Sequence, residues 1–175
     1  MTQPPIDLKK RWLAALLAWM VPGLGHYYQG RRAKAALYFV CIMGLFAIGM
    51  GLGEGKIAFW RWVNPLHDSE NFRLWYPAQF WVGLAAFPAL IQATLLRYGM
   101  PPILGGYLAE PPMNVINALH SSAGRYVDIG VVYTCIAGLL NILAIYDAYD
   151  GPALADEIEP TPTPEKPALI LEPGT

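Results

Sequence analysis

Apolar residues in this chain fall into four long runs separated by shorter polar segments. The runs cover residues 12–21, 35–53, 74–96 and 129–149. A helix needs about 20 apolar residues to cross the hydrocarbon core of a bilayer. The second run holds 19 residues without a charge, so it predicts a full-length membrane helix.

The first run is too short to cross a membrane by itself. Ten residues of helix extend about 15 Å, whereas the hydrocarbon core is roughly 30 Å thick. This helix crosses fully only if it continues through Pro22 and Gly23 to Tyr28. In the alternative, which we favour, the chain dips into the membrane and returns at residues 22–30 as a hairpin.

The third and fourth runs predict two further helices. Pro77 and Pro88 interrupt the third run, and prolines usually kink membrane helices. Pro111 and Pro112 suit the first turn of another helix, which is either a short helix on the membrane surface or an ordinary connector. The predicted fold is therefore an all-α integral membrane protein with three to four hydrophobic helices, the first of them short and followed by a Pro-Gly turn.

The composition agrees with one membrane domain followed by a tail. Apolar residues make up 55% of the chain and charged residues 14%, and a soluble core of this size could not bury such long apolar runs. We assign residues 1–150 to a multi-helix membrane domain. Residues 151–175 hold six prolines and several acids, with Lys166 as the only base, and they predict a disordered tail.

The charge balance and the cysteines disfavour several classes of protein, and the absence of known motifs weakens an enzyme interpretation without excluding one. The net charge is −1, so nucleic acid is not a predicted partner. Cys41 and Cys135 lie within apolar runs, where a thiol usually behaves as a small hydrophobe, so no metal site is predicted. A nucleophile elbow, a P-loop and a dinucleotide fingerprint are all missing. We therefore predict neither catalytic residues nor a cofactor.

The most specific motif joins the first and second runs. It combines a helix breaker with glycine, aromatic and basic residues: Pro22, Gly23, Gly25, His26, Tyr28, Gly30, Arg31 and Arg32. Proline breaks a helix because it lacks an N–H, and glycine takes a positive φ at little cost. The motif therefore predicts a tight reversal between two membrane helices.

This motif resembles the Pro-Gly-Leu-Gly-x-x-Tyr-x-Gly signature of small bacterial membrane proteins related to the two-transmembrane-helix ("TM-two") domain family. The match runs through Pro22, Gly23, Gly25, Tyr28 and Gly30. The TM-two domain often carries an Asp-Arg-Phe-like triplet before its last Tyr-x-Gly, and the acidic residue of that triplet is absent here. The resemblance implies a membrane protein without implying a chemistry, and we expect a multi-pass protein of the bacterial inner membrane.

The polar side chains beside this motif allow more than one interpretation. His26 is either a hydrogen-bonding residue, which we favour, or a proton-transfer group or metal ligand. Arg31, Arg32 and Lys34 either anchor the second helix at the interface, which we favour, or bind anionic lipid headgroups. Asp147 lies at the end of the fourth run, where water is near, and it needs no special partner.

Small residues predict a contact between the third and fourth runs. They recur at four-residue spacing and so share a helix face: Gly130, Thr134 and Gly138 in the fourth run, and Ala85, Ala89 and Ala93 in the third. Faces of this kind let two helix backbones approach closely in a membrane. Asn141 lies near the edge of the first face, and we expect its amide to hydrogen-bond across the contact.

The distribution of basic residues predicts an orientation. With the first run as a hairpin, eight basic residues lie on one side of the membrane and four on the other. The richer side is cytoplasmic by the positive-inside rule. This puts Gly30 in the cytoplasm and the tail after Gly151 on the opposite side.

The sequence favours a non-catalytic role in a membrane complex, as a scaffold, an assembly factor or an accessory subunit. The lipid bilayer is one expected partner, and another protein or further copies of this chain within the membrane are the other. The first alternative is a small oligomeric transporter or channel, because glycine, proline and Asn141 within the runs suit discontinuous helices around a site. The second alternative is a lipid-acting enzyme that uses His26.

Overall fold

Helices account for all the regular secondary structure in the described part of the chain. The computed structural model describes residues 8–63, 66–67 and 75–151. Six α-helices follow one another: α1 (Arg11–Met20), α2 (Leu24–Tyr28), α3 (Arg32–Leu52), α4 (Trp75–Phe80), α5 (Pro88–Arg97) and α6 (Met113–Asp150). A turn of 3₁₀ helix, Leu104–Gly106, lies between α5 and α6. Both α3 and α6 are long and apolar enough to cross a bilayer.

The longest helix, α6, is the centre of the fold. Its 38 residues extend about 57 Å at roughly 1.5 Å per residue. The short helix or connector predicted after Pro112 is not a separate element, because it continues directly into the fourth apolar run. Residues 113–150 contain no proline, so nothing in this stretch breaks the hydrogen-bond ladder.

The helices α3 and α6 lie antiparallel and in close contact. A Cβ atom on Gly49 would lie 2.7 Å from the carbonyl oxygen of Gly130 and 2.8 Å from the Cγ2 atom of Thr134. Near the other end of the pair, Lys34 contacts Asp147. Aliphatic and aromatic side chains on both helices join the largest core cluster, which also takes in residues of α4 and α5.

The first apolar run forms one arm of a helical hairpin. The helix α1 ends at Met20, Gly23 adopts a φ of 82°, and α2 begins at the next residue. On α2, Gly25 lies so close to α1 that a Cβ atom there would collide with the carbonyl oxygen of Ala14. The open ends of the hairpin meet as well, since the Gln29 side chain donates a hydrogen bond to the carbonyl oxygen of Leu8. Residues 8–29 are called the first hairpin below.

The prediction that residues 74–96 form one kinked span was wrong. This stretch forms α4 and α5 with a turn between them, in which Gly83 adopts a φ of 87°. Pro88 does not kink a helix but begins α5, where its missing N–H costs nothing. The Tyr76 hydroxyl donates a 2.9 Å hydrogen bond to the carbonyl oxygen of Ala86 across the turn. Residues 75–97 are called the second hairpin below.

The tips of the two hairpins touch. The backbone N–H of Leu84 donates a 3.0 Å hydrogen bond to the carbonyl oxygen of Met20, the last residue of α1. A Cβ atom on Gly83 would collide with the carbonyl oxygen of Trp19. Only glycine therefore fits at this contact, both for its φ and for the space available.

The predicted placement of the C-terminal segment opposite Gly30 was wrong. Gly151, the last described residue, lies against the Leu8 side chain, and Asp147 contacts Arg31 directly after Gly30. The reason is the second hairpin: because the third run turns back instead of crossing, α6 returns to the end at which α3 begins. The tail predicted to be disordered lies, beyond Gly151, outside the described residues.

Candidate functional site

A single carboxylate on α6 gathers three basic side chains. The Oδ2 atom of Asp147 lies 2.6 Å from the Nε2 atom of His26 and 2.9 Å from a guanidinium nitrogen of Arg31. Its Oδ1 atom accepts a 2.8 Å hydrogen bond from the ammonium group of Lys34. We call these four residues the Asp147 cluster. They come from α2, from the segment before α3, from α3 and from α6.

The first hairpin brings these groups together. Its return arm places His26 against α6, and the turn that follows delivers Arg31 to the same carboxylate. Gln29 strengthens the attachment, because its buried amide donates a 2.6 Å hydrogen bond to the carbonyl oxygen of Ala148. Arg31 also donates a hydrogen bond to the backbone carbonyl of Asp147. The last turn of α6, whose carbonyl groups lack intrahelical partners, thereby obtains donors.

His26 is a buried, hydrogen-bonded histidine. Its side chain is fully buried, and its ring lies 4.7 Å from the ring of Tyr38. Burial lowers the pKa of the His26 imidazole, and the charges of Arg31 and Lys34 act in the same direction, against the hydrogen bond with Asp147. A neutral ring that meets a carboxylate must donate from Nε2. The Nδ1 atom is then an acceptor, and it has no hydrogen-bond partner among the described residues.

The carboxylate at the centre of the Asp147 cluster is enclosed by donors. The Asp147 side chain is 16% exposed and Arg31 12% exposed, and both carboxylate oxygens have donors. A carboxylate with this many donors is held ionised and in place, with little capacity left to accept a proton from a substrate. The arrangement suits the attachment of the hairpin to α6 better than it suits acid–base chemistry.

Arg32 differs from its neighbours. It is exposed, and it forms no ion pair with any residue that the structure describes. It lines an apolar groove between the first hairpin and α3. The sequence analysis gives Arg31, Arg32 and Lys34 the same role. In the structure Arg31 and Lys34 are paired with Asp147, and Arg32 is not.

A second polar site lies where the hairpin tips meet. The amide of Asn141, which is fully buried on α6, donates hydrogen bonds of 3.1 Å and 2.8 Å to the carbonyl oxygens of Ala18 and Trp81. One side chain therefore binds both hairpins. Seven residues earlier on α6, the hydroxyl of Thr134 accepts a 2.8 Å hydrogen bond from the amide of Gln79 on α4. These bonds satisfy the amide nitrogens of Asn141 and Gln79, whereas the buried Oδ1 atom of Asn141 has no hydrogen-bond partner among the described residues.

Of the small residues predicted to face the third run, Thr134 and Gly138 contact it through Gln79 and Ala78, whereas Gly130 packs against α3. A Cβ atom on Gly138 would collide with the carbonyl oxygen of Ala78 on α4, and the backbone nearest Gly130 is that of Gly49 on α3. The close approach to α6 thus comes from α3 and α4. The three alanines predicted as the matching face lie elsewhere: Ala85 in the turn of the second hairpin, and Ala89 and Ala93 buried on α5.

The remaining signature residues lie at both ends of the first hairpin. The Lys9 ammonium group donates a 2.6 Å hydrogen bond to the carbonyl oxygen of Tyr28 and lies 4.9 Å from the centre of its ring. Gly30 adopts a φ of 83° in open space. Pro22 is buried at the tip and lines the same groove as Arg32.

Asp147 and Gln79 are the site residues that the sequence prediction misses. A signal for Asp147 exists, because an acid in the last turn of a helix faces the negative end of the helix dipole and needs cations nearby. Gln79 offers no comparable signal. Within the described residues, His, Cys, Asp and Glu form no group of three that could hold a metal ion.

The whole arrangement falls within one family match. A protein-family model matches residues 13–160, a range that includes the second hairpin, the Asp147 cluster and the first hairpin from residue 13 onward. Neither the curated proteins nor the solved structures include a match to this chain. Since the family model covers far more than half of the chain, the protein belongs to DUF6677, a family of unknown function.

Proposed function

We propose that this protein is a non-catalytic integral membrane protein of the bacterial inner membrane, which serves as a scaffold, assembly or accessory subunit of a membrane complex. The observation that carries the proposal is that both carboxylate oxygens of Asp147 and the amide nitrogen of Asn141 are already bonded to the protein's own groups. The Asp147 cluster and Asn141 direct their hydrogen bonds at the protein's own hairpins and α6. Substrate chemistry would need polar groups that remain available.

In this proposal α3 and α6 cross the membrane and the two hairpins enter it from opposite sides. The helices α1 and α5 have ten residues each and extend about 15 Å, which is half of the roughly 30 Å hydrocarbon core. Their meeting point then lies near the middle of the membrane. Non-helical backbone is tolerated at that depth only where protein covers it, and Asn141 and Gly83 supply that cover.

The end that carries the Asp147 cluster faces the cytoplasm in this proposal. Six basic residues lie at that end, namely Lys9, Lys10, Arg11, Arg31, Arg32 and Lys34, whereas four described ones lie towards the other end, namely Lys56, Arg61, Arg97 and Arg125. The excess is modest, and the six lie close to the ends of α1 and α3, where the positive-inside rule counts charges.

Single cysteines test the orientation. In a background without Cys41 and Cys135, we would introduce Lys10→Cys, Asp150→Cys and Glu54→Cys, all at exposed positions. An impermeant thiol reagent applied to intact cells should label only the cysteine at position 54. Labelling of position 150 without position 10 would contradict the hairpin arrangement.

Isolation from native membranes tests the proposed role. The protein should copurify in mild detergent with a stoichiometric protein partner or as a defined oligomer of itself. Leu139 and Leu143 on α6 are exposed, and a photo-crosslinking residue at Leu143 should capture that neighbour. A protein that is monomeric and without a crosslinked partner in its native membrane would contradict the role.

A small oligomeric transporter is the second candidate, because two broken segments meet beside a buried amide. Transporters often bind substrates where discontinuous helices meet near the membrane midplane. Here, however, Asn141 donates to two backbone carbonyls and the tips are in direct contact. A flux assay in liposomes, with Asn141→Leu as the matched control, tests this candidate. Flux equal to that of empty vesicles would exclude it for the ions or solutes used.

A further inference from the structure

An apolar groove runs along α3 beside the first hairpin. The part near the beginning of α3, a cavity of about 370 Å³, is lined by residues of the hairpin tip, α2 and α3. A second cavity of about 320 Å³ continues it towards the meeting point of the hairpins. The two cavities share Val21, Pro22 and Phe39 as lining residues, so they form one continuous groove.

The groove has the length of one lipid leaflet. Along α3 its lining extends from Arg32 to Met43, which is about 16 Å at roughly 1.5 Å per residue. Half of the hydrocarbon core is roughly 15 Å. A single acyl chain that enters at the Arg32 end would therefore reach the middle of the membrane at Met43.

The groove is apolar along its length and charged at one end. Arg32 is the only charged residue among those that line the two cavities. Its neighbours Arg31 and Lys34 are paired with Asp147, whereas Arg32 forms no ion pair with a described residue. The exposed ring of Tyr27 borders the same end. A single cation above an apolar channel complements an amphiphile with an anionic headgroup.

We propose that this groove binds one anionic phospholipid, with an acyl chain between the first hairpin and α3 and the phosphate on Arg32. The inference rests on the proposed membrane placement, and it adds a ligand to the face of the hairpin opposite to the one fastened to α6. The bound chain covers the tip at Pro22, and its headgroup neutralises the basic residue that the Asp147 cluster leaves out.

Lipid binding to the purified full-length protein tests the proposal. Phosphatidylglycerol or phosphatidylcholine is added to the protein in detergent, and the first bound lipid is measured by native mass spectrometry. We expect phosphatidylglycerol to bind about fivefold more tightly, the preference that one basic residue near the surface provides. Glycerol 3-phosphate, which lacks acyl chains, should not compete.

Two variants and two matched controls locate the site. Arg32→Gln should abolish the preference for phosphatidylglycerol, whereas Arg11→Gln, at an exposed base outside the groove, should keep it. Ala36→Phe should fill the groove and weaken both lipids, whereas Ala33→Phe, exposed on the same helix, should not.

Three outcomes would overturn the proposal: equal binding of the two lipids by the wild-type protein, an unchanged preference in Arg32→Gln, or an equal loss in Arg11→Gln. If Ala36→Phe does not fold, the arginine pair still decides. Retention of the variants in carbonate-washed membranes is measured in parallel. If a variant loses its preference for phosphatidylglycerol but stays in the membrane, only the lipid site is affected. If a variant is no longer retained in the membrane, the membrane placement itself is disturbed.

Discussion

The two hairpins are built alike but are fastened to α6 by different means. Each pairs a ten-residue helix with a shorter one, and each reverses near a glycine with a positive φ, Gly23 or Gly83. The first hairpin is held at its open end by the hydrogen bonds of His26 to Asp147 and of Gln29 to the Ala148 carbonyl group, and the ion pairs of Arg31 and Lys34 with Asp147 lie directly after it. The second hairpin is held along α4 by direct backbone contact at Gly138 and by the buried hydrogen bond from Gln79.

In the proposed membrane placement, the difference follows from the distance to water. Charged side chains are tolerated at the end of α6 because their desolvation is incomplete there. Part of the Asp147 carboxylate is exposed. Farther along the helix, charges are expensive in a membrane, so small residues and neutral amides make the contacts instead. A hairpin is thus attached to α6 by charged groups near the surface and by close packing and neutral hydrogen bonds at depth.

The largest expected effect comes from breaking the backbone contact of the second hairpin. Gly138→Leu should cost about 3 kcal/mol of unfolding free energy, because its side chain occupies the position of the Ala78 carbonyl group and pushes α4 away. Gly124→Leu is the matched control on the same helix, since nothing lies near that glycine, and it should stay within about 0.5 kcal/mol. Thermal unfolding of the detergent-purified variants measures both. Equal midpoints would contradict the close contact.

The tip contact should be nearly as sensitive. Gly83→Ala combines a positive φ with a collision against the Trp19 carbonyl oxygen, and we expect a loss of about 3 kcal/mol. Gly30→Ala has a similar φ of 83° but open space around it, so it should cost only about 1 kcal/mol. The difference between the losses of unfolding free energy in Gly83→Ala and Gly30→Ala measures the contribution of the tip contact. No difference would mean that backbone strain alone matters at Gly83.

Removing the charged attachment should release only the first hairpin. Asp147→Asn leaves Arg31 and Lys34 without their carboxylate partner and should cost about 2 kcal/mol, less than a fully buried pair because water reaches the site. Hydrogen exchange should rise in residues 8–29 and stay unchanged in residues 75–97. Asp150→Asn, at an exposed neighbour, is the control. Faster exchange in both hairpins would contradict their separate attachment.

The smallest effect is expected at the residue that the two hairpins share. Asn141→Leu removes the hydrogen bonds to the carbonyls of Ala18 and Trp81 and should cost about 1 kcal/mol, the range for polar contacts between membrane helices. Hydrogen exchange should increase at both tips together. A loss larger than that of Gly138→Leu would reverse the ranking of backbone contact over hydrogen bonding.

The local pattern of the sequence predicts much of the fold. The uninterrupted apolar run at 35–53 predicts α3, which forms at Arg32–Leu52. The short first run predicts a helix of about half the thickness of a membrane, and α1 has ten residues. Such features follow from composition and periodicity along the chain, which depend only on neighbouring residues.

The local sequence pattern could not predict that the third run turns back as a hairpin. Its two prolines are compatible with a kinked span or with a hairpin, and the reversal occurs near Gly83, between them. What decides is a contact distant in sequence, the approach of that turn to the Trp19 and Met20 carbonyls. Because the hairpin turns back, the end of α6 changes sides, and the predicted place of Gly151 changes with it.

The sequence by itself determined that the chain is helical, which segments are long and apolar, and that a break follows α1, because these properties are local. Only the tertiary structure decided that Asp147 gathers His26, Arg31 and Lys34, and that Arg32 is left beside an open groove. A carboxylate about 120 residues away from its histidine becomes a partner only when two antiparallel helices and a hairpin fix their relative positions. The spacing of two residues along the chain does not determine how close they lie in the folded protein.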